Sequence, residues 1–382
     1  MRVLMFLILF GVVPHLLGLS AEAKSAVRIG LIQPETGPAA YDGQSVINGA
    51  RLAESEINEK GGVLGGKKIE VLLQDGKVDP SESLNAAERL LDRDEVSALI
   101  GAWGSSATLA IMPVVERYEV PLIVETSTAE KITEVGNPWV FRISSHSQID
   151  ADVLGPYMVD ELGFEKVAFM AANNDFGRAV VSNWTRVLAP QGGRVVMAEY
   201  HNPGEVNFAA TLTKIRNSDA DTIVITSDVT TVSNIIKQSY ELGLGGLKRV
   251  VTSGNPAEAI INLAGESATD GMLVQNYWVP YAPAPGQEEA SQEFAQKYAE
   301  RFKGRQADKY AVSGYDSVYL IAAAIEEAGS DEPVAIRDAL REIKLPALQG
   351  VIVFDEQQQA RPHQSISKIK DGEPKIILEV GQ

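Results

Sequence analysis

Along the chain, short apolar runs alternate with longer segments whose apolar residues recur every three to four positions. Val27-Arg28-Ile29-Gly30-Leu31-Ile32 predicts a buried strand. Val46 to Asn58 predicts a helix with Val46, Ala50, Ala53 and Ile57 on one face, and Gly61-Gly62 supplies its left-handed stop. The unit then repeats. Ile69 to Leu73 is a strand, and Asp79-Pro80-Ser81-Glu82 gives an N-cap, a proline at N1 and a capping-box acid ahead of Leu84, Ala87 and Leu91. A strand at Ser97 to Gly101, a helix at Thr108 to Tyr118 and a strand at Val120 to Val124 follow. Alternation of this kind predicts a parallel sheet covered by helices.

After Trp139 to Ile143 a second series begins, with strands at Val167 to Met170, Arg194 to Glu199, Thr222 to Thr226 and Arg249 to Thr252. Helices at Val206 to Ile215 and Val232 to Leu242 lie between them, so two α/β units of similar build stand in tandem. Beyond Asn276 the chain is loop-like through Val279 to Gly286, then helical around Glu288 to Phe302, Tyr310 to Ala328 and Val334 to Ile343. Val351 to Phe354 and Ser365 to Ile377 read as strands.

Composition narrows the function. At 382 residues, a soft prior of ~150 residues per domain predicts two or three domains. The formal charge of -17 repels phosphate backbones and anionic headgroups, which argues against nucleic acid as a partner. The absence of cysteine removes disulfides, thiolate nucleophiles, zinc-thiolate and iron–sulfur sites, and lipid attachment at an N-terminal cysteine. Met1-Arg2, an apolar run from Val3 to Leu19 and Ser20-Ala21-Glu22-Ala23 form a signal peptide over residues 1–23, cut after Ala23. A membrane anchor is the competing reading, but Pro14 and the small-residue ending favour cleavage. The mature chain from Lys24 is then exported, with no direct membrane insertion after cleavage.

Enzyme motifs fail on inspection. Gly61 to Lys67 matches G-x-x-x-x-G-K, but Lys68 replaces the magnesium-binding hydroxyl and the glycines follow a helix, so a helix stop and turn is expected. There is no G-x-G-x-x-G after a strand, no H-E-x-x-H and no G-x-S-x-G elbow, and His146, His201 and His363 are expected to be exposed or capping. No cofactor and no metal are expected. The informative stretch is Gly101-Ala102-Trp103-Gly104-Ser105-Ser106-Ala107-Thr108, which leaves a buried strand and opens a helix at the carboxyl edge of the sheet. Helix-start N–H groups with the hydroxyls of Ser105, Ser106 and Thr108 suit a small carboxylate, although simple N-capping explains one hydroxyl equally well. The next strand ends in Glu125-Thr126-Ser127-Thr128 at the same edge.

These residues, with Ile29-Gly30, Thr36-Gly37-Pro38-Ala39-Ala40, Gly49-Ala50, Asp79-Pro80, Pro121-Leu122-Ile123, Phe141-Arg142, Asp175-Phe176-Gly177, Gly265-Glu266-Ser267-Ala268 and Gly314-Tyr315-Asp316, resemble the type I periplasmic binding proteins of the branched-chain amino acid (Leu/Ile/Val) group. The resemblance covers nearly the whole mature chain. It implies two Rossmann-like lobes with parallel sheets flanked by helices, residues 24–145 plus 277–354 and 146–276 plus 355–382, joined by a hinge crossed near Ser145, Asn276 and Phe354. It further implies a non-enzymatic protein of the periplasm that carries a small carboxylate to an inner-membrane ABC permease. By position, Ser105, Thr128 and the backbone of Thr126 would hold the ligand carboxylate, and Trp103 and Ser106 would stand beside them.

Departures from the family pattern leave the ligand open. Phe176 and Asp228 stand at tyrosine positions, the acid that grips an ammonium falls at Gly254-Asn255, and the Thr-Gly-Pro loop is one residue short, so that either Tyr41 or Asp42 reaches the cleft. Asp228 in place of the missing acid keeps an amino acid ligand, the favoured reading. Phe176 and Trp103 suit instead an aromatic or aliphatic carboxylate without an amine. A hydrolase using Ser105 lacks a recognisable triad, and a ligand-sensing protein of the same fold, of the amide or urea type, is the remaining class.

Overall fold

The computed structural model describes residues 26–380, so the expected signal peptide, residues 1–23, lies outside the described residues. Strands β1 (Val27–Gln33), β2 (Ile69–Asp75), β3 (Ala98–Ile100), β4 (Leu122–Val124) and β5 (Val140–Arg142) form a parallel sheet in the order β2-β1-β3-β4-β5. Strands β6 (Lys166–Ala172), β7 (Arg194–His201), β8 (Thr222–Thr226), β9 (Lys248–Val251) and β10 (Leu273–Asn276) repeat that winding as β7-β6-β8-β9-β10. β11 (Leu345–Ala347) and β12 (Gly350–Ile352) make a separate antiparallel ribbon. β13 (Gln364–Lys370) and β14 (Glu373–Val380) extend the second sheet past β10 as an antiparallel hairpin. Its two-residue turn, Asp371-Gly372, has positive φ at both positions, as a tight hairpin with matched twist requires, so no crossover helix is needed there.

Local signals place most elements where the pattern predicts them. Asp79 caps the helix Pro80–Glu88 by accepting from the N–H groups of Ser81 and Glu82. Gly61 and Gly62 take φ of 112° and 77°, and the Gly62 N–H closes the preceding helix on Ile57 O at 2.9 Å. The G-x-x-x-x-G-K match is therefore a helix stop and turn. Four helix starts differ, one of them the helix expected from Thr108, which begins at Ser105 behind Gly104. The first helix spans Ala40–Glu59 rather than starting at Val46, because Asp42, Gly43 and Ser45 are buried polar or small residues that carry no apolar period. The helix expected from Val206 is Ala209–Arg216, and Val206 is largely exposed. The helix expected from Val232 begins at Val229, where Asp228 caps it.

The helix Lys309–Ala328 returns from late in the chain to pack on Ala40–Glu59 above the first sheet. Two glycines allow the close crossing: a Cβ on Gly49 would lie 1.8 Å from Ala311 O, and one on Gly314 would lie 2.1 Å from Val46 O. The chain passes between the sheets after β5, after β10 and after β12. On its last passage it stays with the first sheet through Ala360, past the expected Phe354, since the Ala360 N–H donates to Arg142 O and the Arg142 N–H to Gln358 O. One buried carboxyl ties the passages together. Asp150 accepts from Ser145 Oγ at 2.7 Å, Tyr277 OH at 2.6 Å and Gln364 Nε2 at 3.1 Å, and burial pushes its pKa up to about 6.

Candidate functional site

In each sheet the strand order reverses direction, between β1 and β3 and again between β6 and β8, and the carboxyl ends at such a switch point leave a crevice. The two crevices face each other across one cavity of about 60 Å³. At about 10–15 Å³ per water this is room for on the order of five waters, the scale of a small metabolite. From the first sheet, Pro38 and Ala39 follow β1, Val78 follows β2, Trp103, Gly104 and Ser105 follow β3, and Thr126, Ser127 and Thr128 follow β4. From the second, Phe176 and Asn174 follow β6, His201 and Pro203 close β7, Ser227 and Asp228 follow β8, and Ser253 and Asn255 follow β9. Lys309 and Tyr310 complete the wall from the first turn of their helix.

Donors converge at the β3 and β4 ends. Ser105 opens the helix Ser105–Tyr118 behind Gly104, which has φ of 94°. The buried Ser105 Oγ accepts from the Ala129 N–H at 3.1 Å, which leaves its own proton to donate. Trp103 Nε1 and Thr128 Oγ1 are buried without a partner among the described residues, and buried polar groups ordinarily have one. A carboxylate is the chemical complement of such a set at a helix N-terminus.

Two of the three hydroxyls expected in the cradle are committed elsewhere. Thr108 Oγ1 bonds Ala102 O at 2.7 Å and Ser127 Oγ at 2.8 Å, which braces the β3 and β4 loops against each other. Ser106 Oγ donates to Asp175 Oδ2 at 2.7 Å and accepts from the Asp175 N–H at 3.2 Å, across the cleft. Neither Tyr41 nor Asp42 lines the cavity. The Tyr41 ring lies under the Arg305 guanidinium at 4.5 Å. Asp42 is buried and accepts from the Val229 N–H across the cleft at 3.2 Å; burial and then the Asp228 charge hold its carboxyl well above the usual range.

Asp228 does line the cavity, but as a helix cap. It accepts from the Thr231 N–H at 2.9 Å, Thr231 Oγ1 at 2.7 Å and Ser227 Oγ at 3.2 Å. Asn255 Nδ2 holds Ser227 O at 3.1 Å, while its Oδ1 has no partner among the described residues. His146 caps its helix as expected, by accepting from the Ile149 N–H. His201 and His363 are buried instead of exposed, and His201 Nε2 lies 3.0 Å from Ser227 Oγ at the cavity wall.

Pattern reasoning missed Lys309, Tyr310, Ser253, Asn174 and His201. Lys309 is 5% exposed, donates from Nζ to Ser253 O at 2.9 Å, and lies over the rings of Tyr310 at 4.2 Å and Tyr277 at 4.9 Å. Burial pulls its pKa down to about 8, against the raising effect of Asp42, Asp150, Asp308 and Glu125. One sequence signal pointed to it: a lysine in the first turn of an apolar helix opposes the helix dipole.

A doubly wound pair of sheets with a cleft between their carboxyl edges defines a two-lobed binding protein. The family model for periplasmic binding proteins matches residues 26–372, and the chain belongs to that family. An amino acid binding protein of Pseudomonas aeruginosa is 27% identical over 90% of each chain. A leucine-binding protein, LivK, of Thermotoga maritima superposes with a TM-score of 0.84 at 26% identity, covering 93% of this chain and 99% of that one. The fold is shared too by a solute-binding protein of an ABC transporter from Rhodopseudomonas palustris in complex with 3,4-dihydroxybenzoic acid. Its TM-score is 0.80 at 24% identity, over 94% and 96% of the two chains. These relatives and neighbours are solute-binding proteins, not enzymes.

Proposed function

We propose that this chain captures a small carboxylate between its lobes and delivers the closed form to an inner-membrane ABC permease, from the periplasm after cleavage of residues 1–23. The observation that carries this reading is the convergence of Ser105 Oγ–H, Trp103 Nε1–H and Thr128 Oγ–H on one small cavity between the two sheets. In this reading Ser105, Thr128 and Thr126 hold the carboxylate, Trp103 and Phe176 flank the ligand body, and Asp228 and Asn255 face it from the second lobe. Ser106 acts on closure through Asp175, and Asp42 through the Val229 N–H. The lobes in this reading are residues 26–145 plus 277–360 and 146–276 plus 361–380. Amino acids head the candidate ligands, in keeping with the names of the relatives. A carboxylate without an amine is the second, favoured by the engagement of Asp228 in capping its helix.

The test is thermal unfolding of the mature chain, stripped of carried-over ligand by unfolding and refolding, against amino acids, aromatic and aliphatic acids, amides and urea. Selective binding at a hundred times the dissociation constant adds about 2.7 kcal/mol and raises the midpoint by several degrees. A shift with a carboxylate, with compaction in solution scattering, is the expected result. A shift confined to amides or urea supports the sensing class, and no shift with any member overturns capture.

A further inference from the structure

Among the described residues, the cavity wall holds a cation with no carboxylate in ion-pair contact, while Asp42, Asp150, Asp308 and Glu125 face it at longer range. Lys309 Nζ has one hydrogen bond, to the backbone oxygen of Ser253, and two aromatic faces. Among the described residues no carboxylate oxygen lies within 4.0 Å of it. A buried ammonium in that position is costly unless an anion joins it. The other charged side chain on the wall, Asp228, already accepts three hydrogen bonds at the start of its own helix, where the dipole stabilises it. Among the described residues the wall also carries the unpaired donor Trp103 Nε1, the hydroxyls of Thr128 and Ser253, which can donate or accept, and the unpaired Asn255 Oδ1 and His201 Nδ1. An α-ammonium brings a second positive charge and three further N–H donors into this set.

We infer that Lys309 selects for ligands with net negative charge, so that the cavity takes a carboxylate lacking an α-ammonium in preference to the matching zwitterionic amino acid. This rests on the carboxylate-capture reading above and places its second candidate, the carboxylate without an amine, ahead of its first. The lysine supplies the counter-charge, while the Ser105 and Thr128 hydroxyls supply directional hydrogen bonds. Removing the lysine removes the discrimination and leaves the hydroxyls in place.

The experiment is calorimetric titration of the stripped, refolded mature chain with matched pairs: L-leucine and 4-methylpentanoate, L-phenylalanine and 3-phenylpropanoate, L-aspartate and butanedioate. The amine-free member is expected to bind more tightly, and Lys309→Met to weaken it by roughly 30-fold or more. Lys309→Arg is expected to keep the order of the pair. A tighter amino acid in every pair leaves capture standing and overturns the role of Lys309. So does a folded Lys309→Met protein with an unchanged affinity ratio, since a purely structural lysine would alter the unfolding midpoint and not that ratio. Binding of neither member of any pair overturns capture itself, and this inference with it.

Where Lys309→Met fails to fold, proton linkage in the unmodified protein decides. Lys309 faces Asp42 from the first helix, Asp150 from the helix Ser147–Asp160, Glu125 at the end of β4, the neighbouring Asp308, and the rings of Tyr277 and Tyr310. Its pKa of about 8 leaves it partly deprotonated at pH 8. Anion binding there draws in a proton, seen as a dependence of the binding heat on the buffer's ionisation enthalpy. Proton release on binding overturns the inference, as does a folded Lys309→Gln protein with an unchanged affinity ratio.

Discussion

The crossing of the helices Ala40–Glu59 and Lys309–Ala328 ties stability to the site, and Gly49→Ala tests that link. The added Cβ would stand 1.8 Å from Ala311 O and 2.7 Å from Ala311 C. Carbon-to-oxygen contacts begin at about 3.3 Å, so the helices must part by about 1.5 Å. Because the obstacle is backbone, no rotamer change relieves it, and the cost falls at or above the top of the overpacking range, about 3 kcal/mol. For a chain of this size that lowers the unfolding midpoint by roughly 4 °C. Lys309 and Tyr310 lie directly before Ala311, so their part of the cavity wall shifts and ligand affinity falls as well. Scanning calorimetry of Gly49→Ala beside Gly246→Ala reads the effect, since a Cβ at Gly246 meets nothing within 4 Å. Equal midpoints for the two variants would refute the reasoning.

Ser105→Ala removes a donor to the ligand carboxylate and strands the buried Ala129 N–H. Titration should show a loss of roughly 10-fold to 150-fold in affinity, and denaturant unfolding a loss of about 1–3 kcal/mol; affinity within two-fold of the parent protein counts against the cradle. Ser106→Ala deletes both contacts to Asp175 across the cleft, so affinity should fall by roughly 2-fold to 10-fold with an unchanged melting midpoint of the ligand-free protein. An unchanged affinity would show that this contact is irrelevant to closure. Asp316 is buried, accepts from the N–H groups of Leu348 and Gln349 at 3.2 Å, and burial pushes its pKa up to about 7. A carboxyl whose folded pKa is raised favours folding in its protonated form, a contribution fully present below its unfolded pKa near 4 and lost as pH rises through about 7. The stability of the parent protein minus that of Asp316→Asn should therefore grow as pH falls from about 7 towards 4, and a flat difference curve would refute the burial argument.

Much of the fold was legible because its signals are local. The strands of the two sheets show as apolar runs, Asp79 and Pro80 announce a helix start, and Gly61-Gly62 a stop, since backbone conformation at these points depends on neighbours a few residues away. The winding of each sheet follows from strand and helix alternation, and with it the position of Trp103, Ser105, Thr126 and Thr128 at a carboxyl edge. What the chain pattern does not carry is the choice of partner for each polar group. Ser105, Ser106 and Thr108 stand together in sequence, yet one faces the cavity, one reaches across the cleft to Asp175 and one braces Ser127, because helical geometry turns successive side chains by about 100°. Asp228 reads from the sequence as an ammonium partner, and only the Thr231 N–H and hydroxyl brought beside it reveal that it caps its helix. The same limit applies most strongly to Lys309. Its sequence neighbours describe an ordinary helix start, and only the return of that helix to the first lobe, with Ser253 brought over from the second, buries its charge at the cavity wall.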